Sequence, residues 1–553
     1  MRLMIQSLFI KYNKYHYLVI VAALIIFAIG LRNQFNNWDD TVYVTENPSI
    51  ALNGENIKNS FSGGERHGMY LPLTALSFSI NHAISAFDPS AYLGTNLLIH
   101  LVNILLVFAL LQKLFNNNAL TLFAGALFAL HPMQAESVSY VAGRRDTLYA
   151  VFYFLAMLSY INYVQKHDKK WLRNTMIFFV LSLFSKGQAI ALPASLVLVD
   201  FLLLKDFSFK KSVKEKWAFI ALSAVFIIIT LVVKQQAKGY DLSGQIVDIS
   251  FFKKLLFACY GFMMYIVNII VPYNLSLVHP YPASLQMTTG IIISLVFIAA
   301  FAFVSVKYIS TQKELVAGLL FFAVNIFLVL QIIPNSYGIM NDHYVYVPSL
   351  GIFIALYFVL QKLADAKTLS YFFIGIVCVA AFLLARRIPV FRDSISAFSD
   401  VIKKYPDSYI GYNNRGTAYY NTGRLNDAKL DFDASIRYNS TLATAFNNRA
   451  GIFINLAKPK DALTDLNKAI ALDPVFANAY SNRGIALAML GDKKAIDDLN
   501  KAVVLEPRNP RLYYNRAAYW MNANRKDLAC NDVTKARQLG LKEGNPALDK
   551  ACQ

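Results

Sequence analysis

The chain has 553 residues, 56% hydrophobic and 16% charged, with a formal net charge of +19. So apolar a composition excludes an ordinary water-soluble globule and points to a polytopic membrane protein with a soluble part. The excess of Lys and Arg reads as basic loops beside membrane segments, not as a nucleic-acid surface.

The first apolar stretch, YLVIVAALIIFAIG, follows Arg2, Lys11 and Lys14. It runs into LRNQFNNWDD and not into a small-residue cleavage site, so it reads as a retained signal anchor with a cytoplasmic N-terminus. Asp39 and Asp40 then emerge on the outer face. Further apolar runs lie near 92–112, 117–131, 146–164, 174–185, 188–204, 217–233, 254–272, 286–306, 314–333, 346–363 and 370–386. Each spans a bilayer or nearly so, which predicts about 11–14 spans. QKHDKKWLR and KKSVKEK read as cytoplasmic loops. Loop charge leaves the parity of the count open.

Polar residues beside or within spans are costly unless they are hydrated or paired, so they mark candidate sites. Asp39 and Asp40 stand in WDDTVYVTENP. His100 lies inside a span. HPMQAESVSYVAGRRD supplies His131, Glu136, Arg144, Arg145 and Asp146. FSKGQAIALP places Lys186 between two apolar runs, and MNDHYVYVPS holds Asp342, His343 and Tyr344. A cavity facing the outer leaflet accounts for such a gathering. Carboxylates there can take a proton from a hydroxyl acceptor, and Arg or Lys can hold a phosphate leaving group. A divalent cation, Mg or Mn, is left open as a cofactor, with Asp40 and Glu136 as its candidate ligands. For Arg144–Arg145 the bland alternative is a membrane-interface anchor; for Asp39–Asp40 it is a helix cap or a solvated loop.

From about residue 408 the texture turns polar and repeats. NNRGTAYYNTGRLNDA begins at Asn413, NNRAGIFINLAKPKDA at Asn447, SNRGIALAMLGDKKA at Ser481 and YNRAAYWMNANRKDLA at Tyr514. A period of about 34 residues with this texture is the tetratricopeptide signature, and four such helix pairs form a short solenoid. Asn414, Asn448, Asn482 and Asn515 recur on the first helices. They read either as a ladder for an extended acceptor peptide or as caps and bridges within the repeats. The neighbouring Arg415, Arg449, Arg483 and Arg516 read as structural ion pairs or as contacts to an acidic partner. Cys530 and Cys552 pair if their side is oxidising; free thiols are the alternative.

With these motifs in view, the chain resembles the transmembrane and tetratricopeptide-containing protein O-mannosyltransferases, in a bacterial form. WDD followed by NP, HPMQAESV, GRRD and YVYVPSLG carry the resemblance. It implies a C-type polytopic glycosyltransferase using a sugar linked to undecaprenyl phosphate. Leu71 before Pro72, Gly187 after Lys186 and His343 before Tyr344 depart from the family's usual Arg, Glu and Arg.

The expected fold is all-α: a membrane domain over 1–390, a linker over 391–407 and a tetratricopeptide-repeat solenoid over 408–553. The expected activity is inverting transfer of a sugar to Ser or Thr of an exported polypeptide. Asp39 is the expected base and Asp40 its positioning partner; two adjacent carboxylates on a regular strand cannot both point at one atom. Arg144, Arg145 and Lys186 are expected at the donor phosphate. His131, Glu136, Asp146, His100, Asp342, His343 and Tyr344 support the site. The expected setting is a bacterial inner membrane, with site and repeats on the periplasmic side. The rival readings are a membrane-anchored scaffold for an envelope complex and a flippase or ligase for lipid-linked glycan.

Overall fold

The computed structural model describes residues 13–63, 69–236, 250–281, 287–332, 338–363, 365–541 and 544–552. Arg2 and Lys11, which set the expected orientation of the first span, lie outside them. The described residues divide into two compact units, one ending at Lys404 and the other beginning at Tyr405.

The first unit is a bundle of apolar helices. It opens with α1 (Lys14–Ala28), α2 (Gly54–Ser62), α3 (Pro72–Ser85), α4 (Pro89–Phe115) and α5 (Asn118–Leu130). Next come α6 (Gln134–Ser139), α7 (Arg144–Lys166), α8 (Lys169–Ser185) and α9 (Leu192–Leu203). They are followed by α10 (Phe209–Glu215), α11 (Trp217–Gln236), α12 (Phe251–Ile270), α13 (Met287–Tyr308) and α14 (Lys313–Phe327). The last are α15 (Ser349–Leu360), α16 (Ala366–Arg387) and α17 (Ser394–Lys404). Two short strands, β1 (His279–Pro280) and β2 (Gly338–Met340), pair antiparallel. Among the described residues six helical stretches are long and apolar enough to cross a membrane, or seven if the bent pair α10–α11 counts as one. α5, α9 and α15 are apolar but shorter. The segments around 131–146, 186–191 and 338–348 that adjoin them are largely buried in protein.

The unit has two distinct ends. At one, Lys113 donates to Asn162 at 2.7 Å and Lys362 lies over the Tyr308 ring. There the buried Lys216 also pairs with Asp200, which accepts from Tyr160 at 2.8 Å. At the other, Asn33 donates to the Ser139 carbonyl at 2.9 Å and Thr74 to the Ser185 carbonyl at 2.8 Å. α14 and α15 cross where Gly318 and Gly351 each face the other helix's backbone, a close approach that larger residues would block.

α12 passes the length and apolarity test for a span, yet it lies across its neighbour. The Tyr260 ring packs on Gly290, while Phe262 meets Phe301 with ring centroids 5.1 Å apart. Those two partners are separated by about 16 Å along α13. Rings two residues apart point to opposite sides of a helix, so they reach both partners only if α12 crosses α13 steeply. Tyr265 and Ile269 of α12 bond to Asn341 and His131, which keeps its second half beside the loops described below.

The stretch expected to be a linker is ordered. After α16 a turn leads into α17, whose Ala397, Phe398 and Val401 are buried in the first unit. Trp38 packs edge-on against Phe398, and Ser394 Oγ accepts the Asn37 N–H at 2.8 Å.

The second unit is the tetratricopeptide solenoid. Its helix pairs are α18 (Tyr409–Asn421) with α19 (Leu425–Tyr438), and α20 (Ala443–Asn455) with α21 (Pro459–Leu472). The remaining pairs are α22 (Ala477–Met489) with α23 (Ala495–Leu505), and α24 (Pro510–Asn522) with α25 (Lys526–Gln538). The small residues Ala428, Ala450, Ala462, Ala495, Ala517 and Ala529 are fully buried where paired helices meet. A short α26 (Pro546–Ala551) stands where a fifth first helix would begin, and caps the stack. The Cys530–Cys552 disulfide ties that cap to α25. Intact denatured protein should therefore give a maleimide two reactive thiols, Cys259 and Cys378, and four after reduction; mass spectrometry reads both numbers.

Each recurring arginine makes a bidentate pair within its own repeat: Arg415 with Asp431, Arg449 with Asp465, Arg483 with Asp498 and Arg516 with Asp532. Three of them also reach the preceding repeat, at Asp433, Asn467 and Asn500. Of the two readings of these arginines, the structural one is observed.

Candidate active site

Asp39 and Asp40 open a helical turn that continues as a π-helix over Thr41–Thr45, not a strand. A helical turn separates adjacent side chains by about 100°, and the two carboxylates part accordingly. Asp40 turns inward and is fully buried. Its Oδ2 accepts the Asn36 N–H at 2.9 Å and its Oδ1 the Ala142 N–H at 2.8 Å, tying the first loop to the GRRD turn. Asp39 turns outward, its side chain 29% exposed, and accepts from Arg145 Nη2 at 2.5 Å. The Asp39 N–H donates to the Tyr140 hydroxyl at 2.7 Å, so the base of the side chain is fixed as well.

Burial pushes the Asp40 carboxyl up to about 8, against the two N–H groups that favour its ionised form. The folded protein holds there a proton that the unfolded chain releases near pH 4. Its contribution to stability is full below that pH and is lost as pH rises to about 8. The melting temperature of the purified protein should fall between pH 5 and 8, and Asp40→Asn should flatten that slope.

The GRRD turn depends on its glycine. A Cβ at Gly143 would stand 2.5 Å from the Ser137 carbonyl oxygen and 2.6 Å from that of Glu136, so no other residue fits without moving the backbone that carries Glu136. The two arginines that follow diverge. Arg145 donates from each of its three nitrogens: Nε to the Ala142 carbonyl at 3.0 Å, Nη1 to the Tyr43 hydroxyl at 3.0 Å and Nη2 to Asp39. Arg144 is fully buried and donates to Asn96, to Asn81 at 2.9 Å and to the Tyr92 carbonyl at 2.8 Å, with its plane over Phe78. Both were expected at a donor phosphate, and both expectations are corrected. Arg144 has no open face, and Arg145 is the clamp that aims Asp39.

Lys186 pairs with Asp146 and lies over the Tyr344 ring, 4.9 Å from its centroid. Its side chain keeps 11% exposure, more than either arginine. Gln188 donates to the Tyr344 carbonyl at 2.8 Å and so fixes that ring's backbone. His343, standing where Arg was expected, still pairs with Glu136, at 2.5 Å. Asp342 accepts from the Ser276 N–H at 2.7 Å and from His279 at 2.9 Å, anchoring the β1 loop. His131 bonds to the Ile269 carbonyl at 2.9 Å and accepts the Met133 N–H at 3.3 Å. His100 lies deeper, 2.6 Å from the Tyr346 hydroxyl. These residues hold the loops; Asp39 is the carboxylate presented outward among them.

Among the described residues no group of three or more His, Cys, Asp or Glu could hold a metal ion. Both Asp40 oxygens already accept backbone N–H groups, and Glu136 Oε1 is taken by His343. Asn448 donates to Asn413 and Thr417, Asn482 to Asn447 and Asn515 to Ser481, each bonding to the preceding repeat, while Asn414 donates to the Ile410 carbonyl. Three of these amides therefore bridge neighbouring repeats, as the second reading expected.

Residues 71–234 match the dolichyl-phosphate-mannose-protein mannosyltransferase family, and tetratricopeptide families match 383–439 and 458–491. The chain is similar to TMTC-type protein O-mannosyltransferases. The fruit-fly (Drosophila melanogaster) protein O-mannosyl-transferase Tmtc1 is 36% identical over 124 residues, 22% of this chain and 14% of that protein. Human (Homo sapiens) TMTC3 is 38% identical over 94 residues, 17% of this chain and 10% of that protein. The chain thus matches well under a fifth of the length of these curated relatives. Among solved structures, the crystal structure of MamA is 25% identical with TM-score 0.23, covering 26% of this chain and 86% of that one. The stretch that matches the dolichyl-phosphate-mannose-protein mannosyltransferase family contains His131, Glu136, Arg144, Arg145, Asp146 and Lys186; Asp39 and Asp40 precede it.

Proposed function

We propose that this multi-pass membrane protein is an inverting glycosyltransferase that moves one sugar from a polyprenyl-phosphate donor to a Ser or Thr hydroxyl of an exported polypeptide. The observation that carries the reading is the outward-facing Asp39 at one end of the helical unit, its carboxylate held by Arg145 and its backbone N–H by the Tyr140 hydroxyl. Its likeness to the mannosyltransferases supports the reaction class.

Asp39 takes the acceptor hydroxyl proton as the oxygen attacks the anomeric carbon. The bond from that carbon to the phosphate oxygen breaks, and polyprenyl phosphate leaves with the bonding pair. Arg145 keeps the carboxylate aimed while Asp40 ties the loop beneath it. Lys186, the most exposed cation of the three, faces the charge that develops on phosphate.

The setting proposed is a bacterial inner membrane with Asp39 on the outer side. The basic loops at 166–173 and 205–216 follow the ends of α7 and α9 remote from Asp39, as the positive-inside rule requires of cytoplasmic loops. The chain leaves the first unit through α17, beside Asn37 and Trp38, and the Cys530–Cys552 disulfide fits an oxidising compartment for the repeats. The repeats then gather acceptor polypeptide on that side.

The test is transfer of labelled sugar from synthetic polyprenyl-phosphate donors to an exported-protein fraction by the full chain in proteoliposomes. Label on Ser or Thr that appears with monosaccharide donors supports the reading. Label only from oligosaccharide donors moves the assignment to a ligase, and no label with any donor moves it to a scaffold.

A further inference from the structure

An apolar groove of about 560 Å³ runs between α5, α15 and α16, roofed at one end by the close of α12. Leu127, Ile269, Phe353, Gly375, Ile376 and Leu383 line it. Along α16 it extends from Thr368 to Leu383, a rise of about 22 Å at helical spacing. That is most of the ~30 Å depth of a hydrocarbon core. Ile376, Ala380 and Leu383 form one stripe at helical spacing, and the next residue on that stripe is Arg387.

Arg387 is 8% exposed. Its Nη1 donates to Asp400 at 2.6 Å and its guanidinium lies over the Phe391 ring. Its Nη2 is buried without a hydrogen-bond partner. Asp400 is shared with Lys404, so two cations face one carboxylate there. A buried guanidinium edge left unpaired is costly and calls for an acceptor. Phe391 stacks with Tyr140, whose hydroxyl meets Asp39, so this end of the groove adjoins the proposed site.

We infer that the groove and Arg387 bind polyprenyl phosphate, the chain along α16 and the phosphate at the free guanidinium edge. One apolar chain of membrane depth ending in an anion matches both parts, and neither part alone does. The inference rests on the proposed donor class and adds a lipid position to it. Arg387 binds the lipid and takes no part in bond making.

The probe is a photoreactive polyprenyl phosphate, cross-linked to the full chain in nanodiscs and mapped by peptide mass spectrometry. Label should fall on 118–131 and 366–387. Unlabelled polyprenyl phosphate should compete at least about tenfold better than polyprenol of the same length, as a charge-assisted phosphate contact predicts, and inorganic phosphate should not compete. Arg387→Gln should raise the competing concentration about tenfold; Asp400 keeps Lys404, so the fold survives. Gly375→Leu puts a side chain where a Cβ meets nothing within 4 Å, so it should fold normally and abolish groove labelling. Label elsewhere, equal competition by polyprenol, or unchanged labelling of Gly375→Leu overturns the inference. Sugar transfer without groove labelling would sink this site and leave the transferase standing; groove labelling without transfer would do the reverse.

Discussion

Asp39→Asn should lower sugar transfer by about 10²–10⁴-fold, the usual contribution of a positioned general base, with little loss of fold. The substitution keeps the size of the side chain and an oxygen that can still accept from Arg145. It removes the basic site that an acceptor hydroxyl needs. Arg145, the donor, is only 6% exposed, but the amide oxygen still accepts its N–H, so the donor keeps a partner while the ion pair is lost. Asp40→Asn should behave differently. It places an amide N–H₂ against the N–H of Asn36 or of Ala142, so the loop loosens and the melting temperature falls together with activity. Circular dichroism melts beside rates at matched protein amounts separate the two. Wild-type rates from Asp39→Asn would retire Asp39 as the base, and a large melting shift in that variant would assign it a structural role instead.

The architecture was legible because its signals are repetitive. Helical apolar runs and a 34-residue period are long patterns, and each survives local irregularity. The split of Asp39 from Asp40 was legible as a need for two roles, but not its cause, because the helical turn at residue 39 leaves no periodic trace in so short a segment. The arginines misled for a physical reason. Charge type identifies a residue able to hold phosphate, but the partners that consume it come from far along the chain: Asn81, Asn96 and Tyr92 for Arg144, Tyr43 and Asp39 for Arg145. The same blindness hid Tyr140, inside a motif already singled out, and Arg387, whose unpaired edge exists only once α16 and α17 are packed. In the solenoid, the Asn ladder and the Arg column have the spacing of groove residues, and that spacing equally sets neighbours in adjacent repeats.

Removing Asp146 alone should cost about 3–5 kcal/mol, because it leaves Lys186 buried without its counter-charge. The pair is enclosed, with side-chain exposures of 11% for Lys186 and 1% for Asp146. Asp146 Oδ2 has no partner in its pocket, so Lys186 is the carboxylate's one strong contact there. Asp146→Ala should therefore melt early in detergent, and Lys186→Met should do so by a similar mechanism. The double variant Asp146→Leu with Lys186→Met removes both charges and should recover most of the lost stability, since a buried pair often adds little net stability over apolar residues of like size. The same cycle separates chemistry from folding. If Lys186 meets the leaving phosphate, the double variant regains its melting temperature but not its transfer rate. If Lys186 only balances Asp146, rate and stability return together. A melting temperature for Asp146→Ala equal to wild type would show that water reaches the pair, and that this end of α7 is open to solvent.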